Sequence, residues 1–305
     1  MRTVWFNKDR KKNSAPLLEL SDIISAADVE KLGMRKSTFA GGLSNYILFQ
    51  RFNSFYWPLW LAPSLNEHDR NFRSIFPLQL RNTENHDSLL FTNFLSPDYL
   101  KVDPAGMISP VDFCWSIEFW VLANGKLYRP QQNMNSVFQE RNDRDYLITT
   151  NWENSHFKLS TELYGTRTSI DEAIVDIKCA STTRGGSGTS LAIAIRPYNM
   201  ENIGGLNSID YRESGKTVRI NKKDSVYFSK NPRDVFTGSG IQGDLKFLKR
   251  QDKISCAYGM STMALVYPIK KEALDLKLRL SLTRGKNIDT LKLNYNNIRK
   301  DFTGY

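Results

Sequence analysis

The stretch LDLKLRLSLT, from Leu274 to Thr283, decides the fold. Five leucines stand at every second position, and polar residues fill the places between them. The leucines are Leu274, Leu276, Leu278, Leu280 and Leu282. Because successive side chains of a β-strand face opposite sides, all five leucines fall on one side. The stretch therefore predicts an antiparallel strand with one face in a core and the other in water.

The same two-residue period recurs along most of the chain. It includes Val175, Ile177 and Cys179, and the pair Asn124-Gly125 between two apolar runs predicts a tight hairpin. From about residue 38 onward neither a strand–helix alternation nor a fixed repeat is visible. The sequence predicts an all-β fold, one large antiparallel sandwich over residues 38–305. Residues 1–37 are predicted to form a separate, partly helical N-terminal extension, with Ser25 as N-cap and Gly33 as stop.

Composition narrows the class of protein. The 305 residues are 40% hydrophobic, 24% charged and 12% aromatic, which is typical of a soluble globular protein. The net charge is +10, but most Lys and Arg residues are spread singly along alternating segments, so we do not predict a nucleic-acid partner. An acidic macromolecular partner remains an open alternative. With no apolar run of about 18 residues and no signal-peptide core, we expect no membrane partner and a cytoplasmic location.

Cysteine and histidine usage bears on metals and cofactors. Three cysteines without a C-x-x-C pair predict free thiols in a reducing compartment. The three histidines, His68, His86 and His156, have no metal-ligand spacing. We therefore expect no metal site and no cofactor.

The run LAIAIRPYN, Leu191 to Asn199, holds the first candidate site. Its apolar half predicts a strand buried on both faces, and Pro197 ends the ladder. Arg196, Tyr198 and Asn199 then offer a guanidinium fork, a phenol and an amide. These three side chains fit either a ligand such as a sugar or a latch to a neighbouring loop or domain, and both alternatives stay open.

Two aromatic segments provide further candidates. In RFNSFYWPLWLAP, Trp57 and Trp60 can stack on a sugar ring or fill a core or domain contact. In FCWSIEFW, Glu118 and Trp120 share one face of a predicted strand. Glu118 in an apolar pocket would have a raised pKa, which makes it a weak catalytic candidate. Glycoside hydrolysis needs two carboxyl groups, and no second one can be paired with it.

Several segments together resemble one family. They are GGLSN (Gly41 to Asn45), RFNSFYWPLW, VDPAGMISP followed by WSIEFW, and AIRPYNMENIGG. In this order they resemble the N-terminal β domain of bacterial glucoamylase-like and debranching-enzyme-like proteins of the six-hairpin glycosidase superfamily. One departure is that Glu201 is followed by Asn202 and Ile203 before the glycine, Gly204.

The resemblance implies a β-supersandwich of the galactose-mutarotase type. It also implies a non-catalytic module of a glycoside hydrolase-like protein that packs on a helical (α/α) toroid carrying the paired acids, in the same or another chain. We expect Arg196, Tyr198, Asn199, Trp57, Trp60 and Trp120 to face that domain or an oligosaccharide. The alternative is a stand-alone mutarotase- or epimerase-like enzyme that uses Glu118 or another acid as base.

Overall fold

The computed structural model describes residues 56–61, 88–91, 99–110, 115–142, 146–167, 171–182, 188–200, 203–239, 249–257, 259–270 and 273–282. All structural statements below concern these residues. The predicted N-terminal extension 1–37, His68, His86, Cys114 and Glu201 lie outside them.

The described chain is built from eighteen strands. In chain order these are β1 Ser88–Phe91, β2 Tyr99–Val102, β3 Ile108–Pro110, β4 Ser116–Ala123, β5 Lys126–Tyr128, β6 Val137–Asn142, β7 Leu147–Glu153, β8 Phe157–Arg167, β9 Asp171–Ser181, β10 Ser190–Arg196, β11 Ser208–Arg212, β12 Thr217–Ile220, β13 Asp224–Phe228, β14 Asp234–Ser239, β15 Lys249–Arg250, β16 Lys253–Ser255, β17 Ser261–Pro268 and β18 Leu274–Ser281. Two short 3-10 turns, Pro130–Gln132 and Met134–Ser136, separate β5 from β6.

The strands form two sheets of nine strands each. The first sheet has the order β1-β2-β3-β4-β10-β17-β14-β15, and β5 pairs with β4 beside this path. The second has the order β16-β11-β12-β13-β18-β9-β8-β7-β6. Every pairing between these strands is antiparallel. The prediction of an all-β antiparallel sandwich is confirmed.

The core lies between the two sheets, where alternate residues of each strand meet. Phe119 and Ile193 of the first sheet and Leu278 and Val175 of the second belong to one apolar cluster. The leucines of β18 face this core as their spacing predicts. The opposite face of β18 departs from the prediction, because Arg279 is only 2% exposed. Its guanidinium donates to the Glu172 carboxylate on the adjacent strand β9, so the charge is paired instead of solvated.

Strand β10 is buried on both faces, which confirms the prediction for LAIAI. It lies between β4 and β17. Leu191, Ile193 and Ile195 point into the core between the sheets. Ala192 and Ala194 point to the outer face of the first sheet, where they pack in a second cluster with Trp120. Small side chains on this face leave room for the indole ring.

The hairpin between β4 and β5 turns at Asn124-Gly125, as predicted. Both residues have positive φ, 48° for Asn124 and 77° for Gly125, which a type I′ turn requires. This turn returns the chain along β4 and so places Arg129, the residue after β5, near the outer face of the first sheet.

Candidate functional site

The side chain of Arg196 leaves the end of β10 on the outer face of the first sheet and is fully buried. Its Nη1 donates to Oγ1 of Thr262 on β17 at 2.8 Å, and its Nη2 donates to the backbone carbonyl of Tyr56 at 3.2 Å. Its Nε donates to the hydroxyl of Tyr198 at 3.2 Å. One buried guanidinium thus ties β10 to a neighbouring strand and to the segment 56–61.

Glu118 supplies the carboxylate of the same cluster. Its Oε1 accepts a 2.5 Å hydrogen bond from the Tyr198 hydroxyl, and its Oε2 accepts a 2.7 Å bond from Nε1 of Trp120. Glu118 and Trp120 are two residues apart on β4 and therefore share a face, as the sequence predicts. Glu118 is paired with Ala194 in the ladder, so its carboxylate lies on the same face as Arg196, two residues along β10.

Burial sets the protonation of this cluster. It raises the pKa of the Glu118 carboxyl above its ordinary value, and the Arg196 guanidinium is the strongest influence opposing that rise. Burial also raises the pKa of the Tyr198 phenol well above its ordinary value, and the neighbouring Glu118 raises it further. Tyr198 therefore keeps its proton at neutral pH and acts as a donor.

The single phenolic proton of Tyr198 has two acceptors within reach. One is Oε1 of Glu118 at 2.5 Å, and the other is the carbonyl oxygen of Tyr56 at 3.0 Å. A hydrogen bond to a carboxylate is stronger than one to a carbonyl, and the Tyr56 carbonyl already accepts a bond from Arg196 Nη2. We therefore conclude that the Tyr198 hydroxyl keeps its proton and donates it in a hydrogen bond to Glu118.

The segment 56–61 lies against this network. The Tyr56 ring meets the Trp120 ring edge-on at 5.8 Å, and the guanidinium carbon of Arg129 lies 3.9 Å from the centre of the Tyr56 ring. At the other end of the segment, Trp60 donates from Nε1 to the backbone carbonyl of Asn199 at 3.0 Å. The segment is thus fastened near both of its ends.

The structure brings the sequence-predicted site residues into one cluster. Trp57, Trp120, Arg196, Tyr198 and Asn199 are buried, and Trp60 is half-buried. Trp57 packs in an apolar group with Tyr198, next to Trp60. The polar groups of Arg196 and Tyr198 bond within the chain, which is the geometry of a latch. Their contact with a second domain or a sugar stays a prediction.

Three groups in the network around Arg196 and Glu118 were not predicted from the sequence: the Thr262 hydroxyl, the Tyr56 carbonyl and the Arg129 guanidinium. A threonine in an apolar strand and a backbone carbonyl carry no recognisable sequence signal. Arg129 comes close only because of the hairpin at Asn124-Gly125.

The chemistry open to Glu118 is limited by its surroundings. The groups that act on the pKa of Glu118 are Arg196, Tyr198, Arg129 and Trp120, and none of them is a carboxyl. Glycoside hydrolysis by paired acids requires a second carboxyl nearby. Within the described ranges, Glu118 is thus an acceptor in a network rather than one half of an acid pair.

Three further observations concern metals, thiols and membranes. In the part of the chain that the structure describes, no group of three or more His, Cys, Asp and Glu residues is placed to hold a metal ion. Cys179 and Cys256 are free, buried thiols, and burial raises the pKa of Cys179 to about 12. No helix within the described ranges has the length and apolar character needed to span a membrane.

Comparison with known proteins concerns the fold alone. No family model matches the sequence. A search of curated proteins likewise found no match. Among solved structures, the chain is similar to a bacterial glucoamylase solved in complex with acarbose, with a TM-score of 0.52 and 12% sequence identity. The similarity covers 73% of this chain but only 37% of the glucoamylase chain, so this chain corresponds to a part of that protein. This similarity supports the glucoamylase-like fold that the resemblance implies, and the assignment to an N-terminal β domain stays a prediction.

Proposed function

We propose that this chain is the non-catalytic N-terminal β-supersandwich module of a carbohydrate-active, glycoside hydrolase-like protein. Its work is to pack on a helical (α/α) toroid domain, in the same or another chain, and to contact an oligosaccharide at the substrate entrance. The observation that carries this proposal is the fold similarity to a glucoamylase, of which the chain spans 37%.

The candidate site supports a binding role over a catalytic one. Its only carboxylate within the described ranges, Glu118, is 2% exposed and accepts bonds from Tyr198 and Trp120. A substrate atom has no access to it in this arrangement. Two aromatic rings beside this cluster remain half-buried, those of Tyr56 and Trp60. The Tyr56 ring is covered by the Arg129 guanidinium, and Nε1 of Trp60 already donates to the Asn199 carbonyl. The open part of Trp60 is a surface on which a sugar or an apolar domain contact can pack.

The buried network explains how such a surface is kept rigid. Arg196 holds the start of segment 56–61 through the Tyr56 carbonyl, and the Asn199 carbonyl holds Trp60 near its end. A fixed aromatic side chain loses less conformational entropy on binding than a mobile one. The buried network thus fixes the segment that carries the proposed binding surface on Trp60.

Calorimetric titration with maltoheptaose tests sugar contact. We expect wild-type protein to bind and Trp60→Ala to weaken the binding by about tenfold or more. The matched control is Phe138→Ala, because Phe138 is 62% exposed on the edge strand β6 of the other sheet. Binding that is equally weakened by both variants would contradict the assignment of the surface.

Two further measurements test the module itself. Affinity capture from cells of the source organism should retain a protein with paired amphipathic helices that hydrolyses malto-oligosaccharides. Polarimetry of freshly dissolved glucose and galactose should show no acceleration over buffer, whereas acceleration would favour the mutarotase-like alternative. Absence of both maltoheptaose binding and a helical partner refutes the proposed function.

A further inference from the structure

The second sheet is positively charged at one end. Strands β11, β12, β13 and β16 with their turns, residues 208–228 and 253–255, contain six Lys and Arg residues against three Asp and Glu residues, a net charge of +3. Strands β6 to β9 at the other end, over residues 137–142, 146–167 and 171–182, contain four against six, a net charge of −2. Positive charge is therefore concentrated at the β16 end of this sheet.

Cross-strand register brings four charged side chains together at that end. The apolar residues of β11, β12 and β16 pack in the core, so the residues that alternate with them face outward. Asp210 on β11 stands directly opposite Lys253 of β16 on one side and Arg219 of β12 on the other. Side chains in such opposite positions are about 5 Å apart at Cβ. Nε of Arg212 lies 3.4 Å from Oδ2 of Asp210, so three cations surround one carboxylate.

These side chains are accessible from solvent. Lys253 is exposed, Arg219 is half-buried, and the side chains of Arg212 and Asp210 are 49% and 36% exposed. Within the described residues, Arg212 forms an ion pair with Asp210, and neither Lys253 nor Arg219 forms one. Two positive charges at this corner of the sandwich are thus uncompensated, which favours an anionic partner.

Groups that can recognise hydroxyls accompany the cations. The Asp210 carboxylate is an acceptor, and Ser208 and Ser255 stand opposite each other in the next row of the same face. A DNA backbone presents phosphate acceptors, which the Asp210 carboxylate repels. A uronic acid unit offers a carboxylate to the cations and hydroxyl donors to Asp210. The mixture of charges on this face therefore favours a carboxylated glycan over a nucleic acid.

We propose that the outer face of β16, β11 and β12 binds a carboxylated glycan. Lys253, Arg219 and Arg212 contact its carboxylates, and Asp210 accepts bonds from its hydroxyls. The arginine forks match planar carboxylates. Lys253 and Arg219 lie two strand spacings apart, roughly 10 Å, so they contact different sugar units of an extended chain. This surface is on the opposite side of the sandwich from segment 56–61, and the inference therefore goes beyond the proposed function.

Calorimetry at about 0.15 M salt with trigalacturonate, maltotriose and an oligothymidylate tests the inference. Wild-type protein should bind trigalacturonate about tenfold or more tightly than either of the other two ligands. Arg219→Gln and Lys253→Gln should each weaken this binding about threefold or more. The matched control is Lys178→Gln, which removes an exposed lysine from the outer face of β9 in the acidic half of the same sheet. It should leave the binding unchanged.

Asp210→Ala separates glycan recognition from general charge attraction. The variant makes the surface more positive, so attraction alone predicts tighter binding of every anion. Loss of an acceptor for sugar hydroxyls instead predicts that trigalacturonate binds about threefold more weakly or worse. Urea denaturation of each variant checks that it is folded, and the exposed Lys253→Gln keeps the test decisive if another variant is not. Tighter binding of trigalacturonate by Asp210→Ala would show that the surface recognises charge only, and the inference would be wrong.

The remaining outcomes distinguish this surface from the one on Trp60. Trp60→Ala should leave trigalacturonate binding unchanged, and if it weakens that binding as much as Arg219→Gln, the inference is wrong and the proposed function stands. The inference also fails if trigalacturonate does not bind, if maltotriose or the oligothymidylate binds as tightly, or if Lys178→Gln causes an equal loss. Trigalacturonate binding without any binding of maltoheptaose would support this surface and contradict sugar contact at Trp60.

Discussion

The hydroxyl of Tyr198 donates a 2.5 Å hydrogen bond to Oε1 of Glu118, a residue 80 positions earlier in the chain. Both residues are buried, and the bond joins strand β4 to the turn that follows β10. Through Arg196 and the Tyr56 carbonyl, the same network reaches the segment 56–61. The carboxyl and phenol groups of this cluster thus form buried hydrogen bonds that join β4, the turn after β10 and the segment 56–61.

Replacing Tyr198 by Phe should lower the free energy of unfolding by about 3 kcal/mol. The change keeps the ring but removes the donor to Glu118 and the acceptor of Arg196 Nε, both buried charged groups. Urea denaturation measures the loss. Tyr227→Phe is the control, because the half-buried Tyr227 ring has no hydrogen bond within the described residues and should change stability by less than about 0.5 kcal/mol. Equal effects of the two variants would contradict the role of Tyr198.

The pKa shift of Glu118 predicts a pH-dependent difference between wild type and Glu118→Gln. Since burial raises the pKa of Glu118 in the folded state, the folded protein holds this proton at pH values where the unfolded chain has released it. The contribution of Glu118 to the free energy of unfolding is therefore greatest below its pKa in the unfolded chain, about 4.3. This contribution is lost as the pH rises through the pKa of Glu118 in the folded protein. Glutamine does not titrate, so the stability of Glu118→Gln relative to wild type should increase as the pH rises from about 4.3.

Urea denaturation at a series of pH values measures that difference. The glutamine amide has one acceptor oxygen for the two donors Trp120 and Tyr198, so a loss that does not vary with pH is expected in addition to the pH-dependent difference. Glu140→Gln on the exposed part of β6 corrects for the loss of one negative charge. A difference that stays flat or falls with increasing pH would show that burial does not govern Glu118.

Much of the fold follows from the spacing of apolar residues, because a period of two fixes which side of a strand is buried. The leucines of β18, the double burial of Leu191–Ile195 and the turn at Asn124-Gly125 were all predictable in this way. The proximity of Glu118 and Trp120 also follows from their spacing. The sequence does not reveal partners that depend on register between distant strands, such as Arg279 with Glu172, 107 residues apart. The contribution of the Tyr56 carbonyl has no side-chain signature at all.

Gly259→Ala should destabilise the protein by about 3 kcal/mol or more. Gly259 has φ of +71°, and a Cβ atom there would collide with the backbone nitrogen of Gly205. Its carbonyl also accepts the backbone bond of Leu206, so the two segments cannot separate freely. Gly188→Ala is the control: its φ is +92° but no atom lies within 4 Å of the added Cβ, so only strain of about 1 kcal/mol is expected. Thermal unfolding of both variants separates collision from strain, and similar losses would exclude the collision.

Arg279→Met should lower the free energy of unfolding by about 3–5 kcal/mol, because it leaves the Glu172 carboxylate buried without its cation. Arg279 is 2% exposed and Glu172 is fully buried, and Nε of Arg279 donates to Oε2 of Glu172 at 3.0 Å. The double variant Glu172→Leu/Arg279→Met removes both charges and should recover most of the loss. Guanidinium denaturation of the two single variants and the double variant gives the coupling energy directly.

An exposed ion pair of the same protein calibrates this result. Lys158 and Glu153 are 2.9 Å apart, but their side chains are 66% and 63% exposed, so Lys158→Met should cost less than about 0.5 kcal/mol. The contrast between Arg279 and Lys158 then reports the effect of burial, since both variants remove one cation from an ion pair. If Arg279→Met cost no more than Lys158→Met, the outer face of β18 would be solvated, as the alternation of its sequence predicts, and the buried pairing with Glu172 would be wrong.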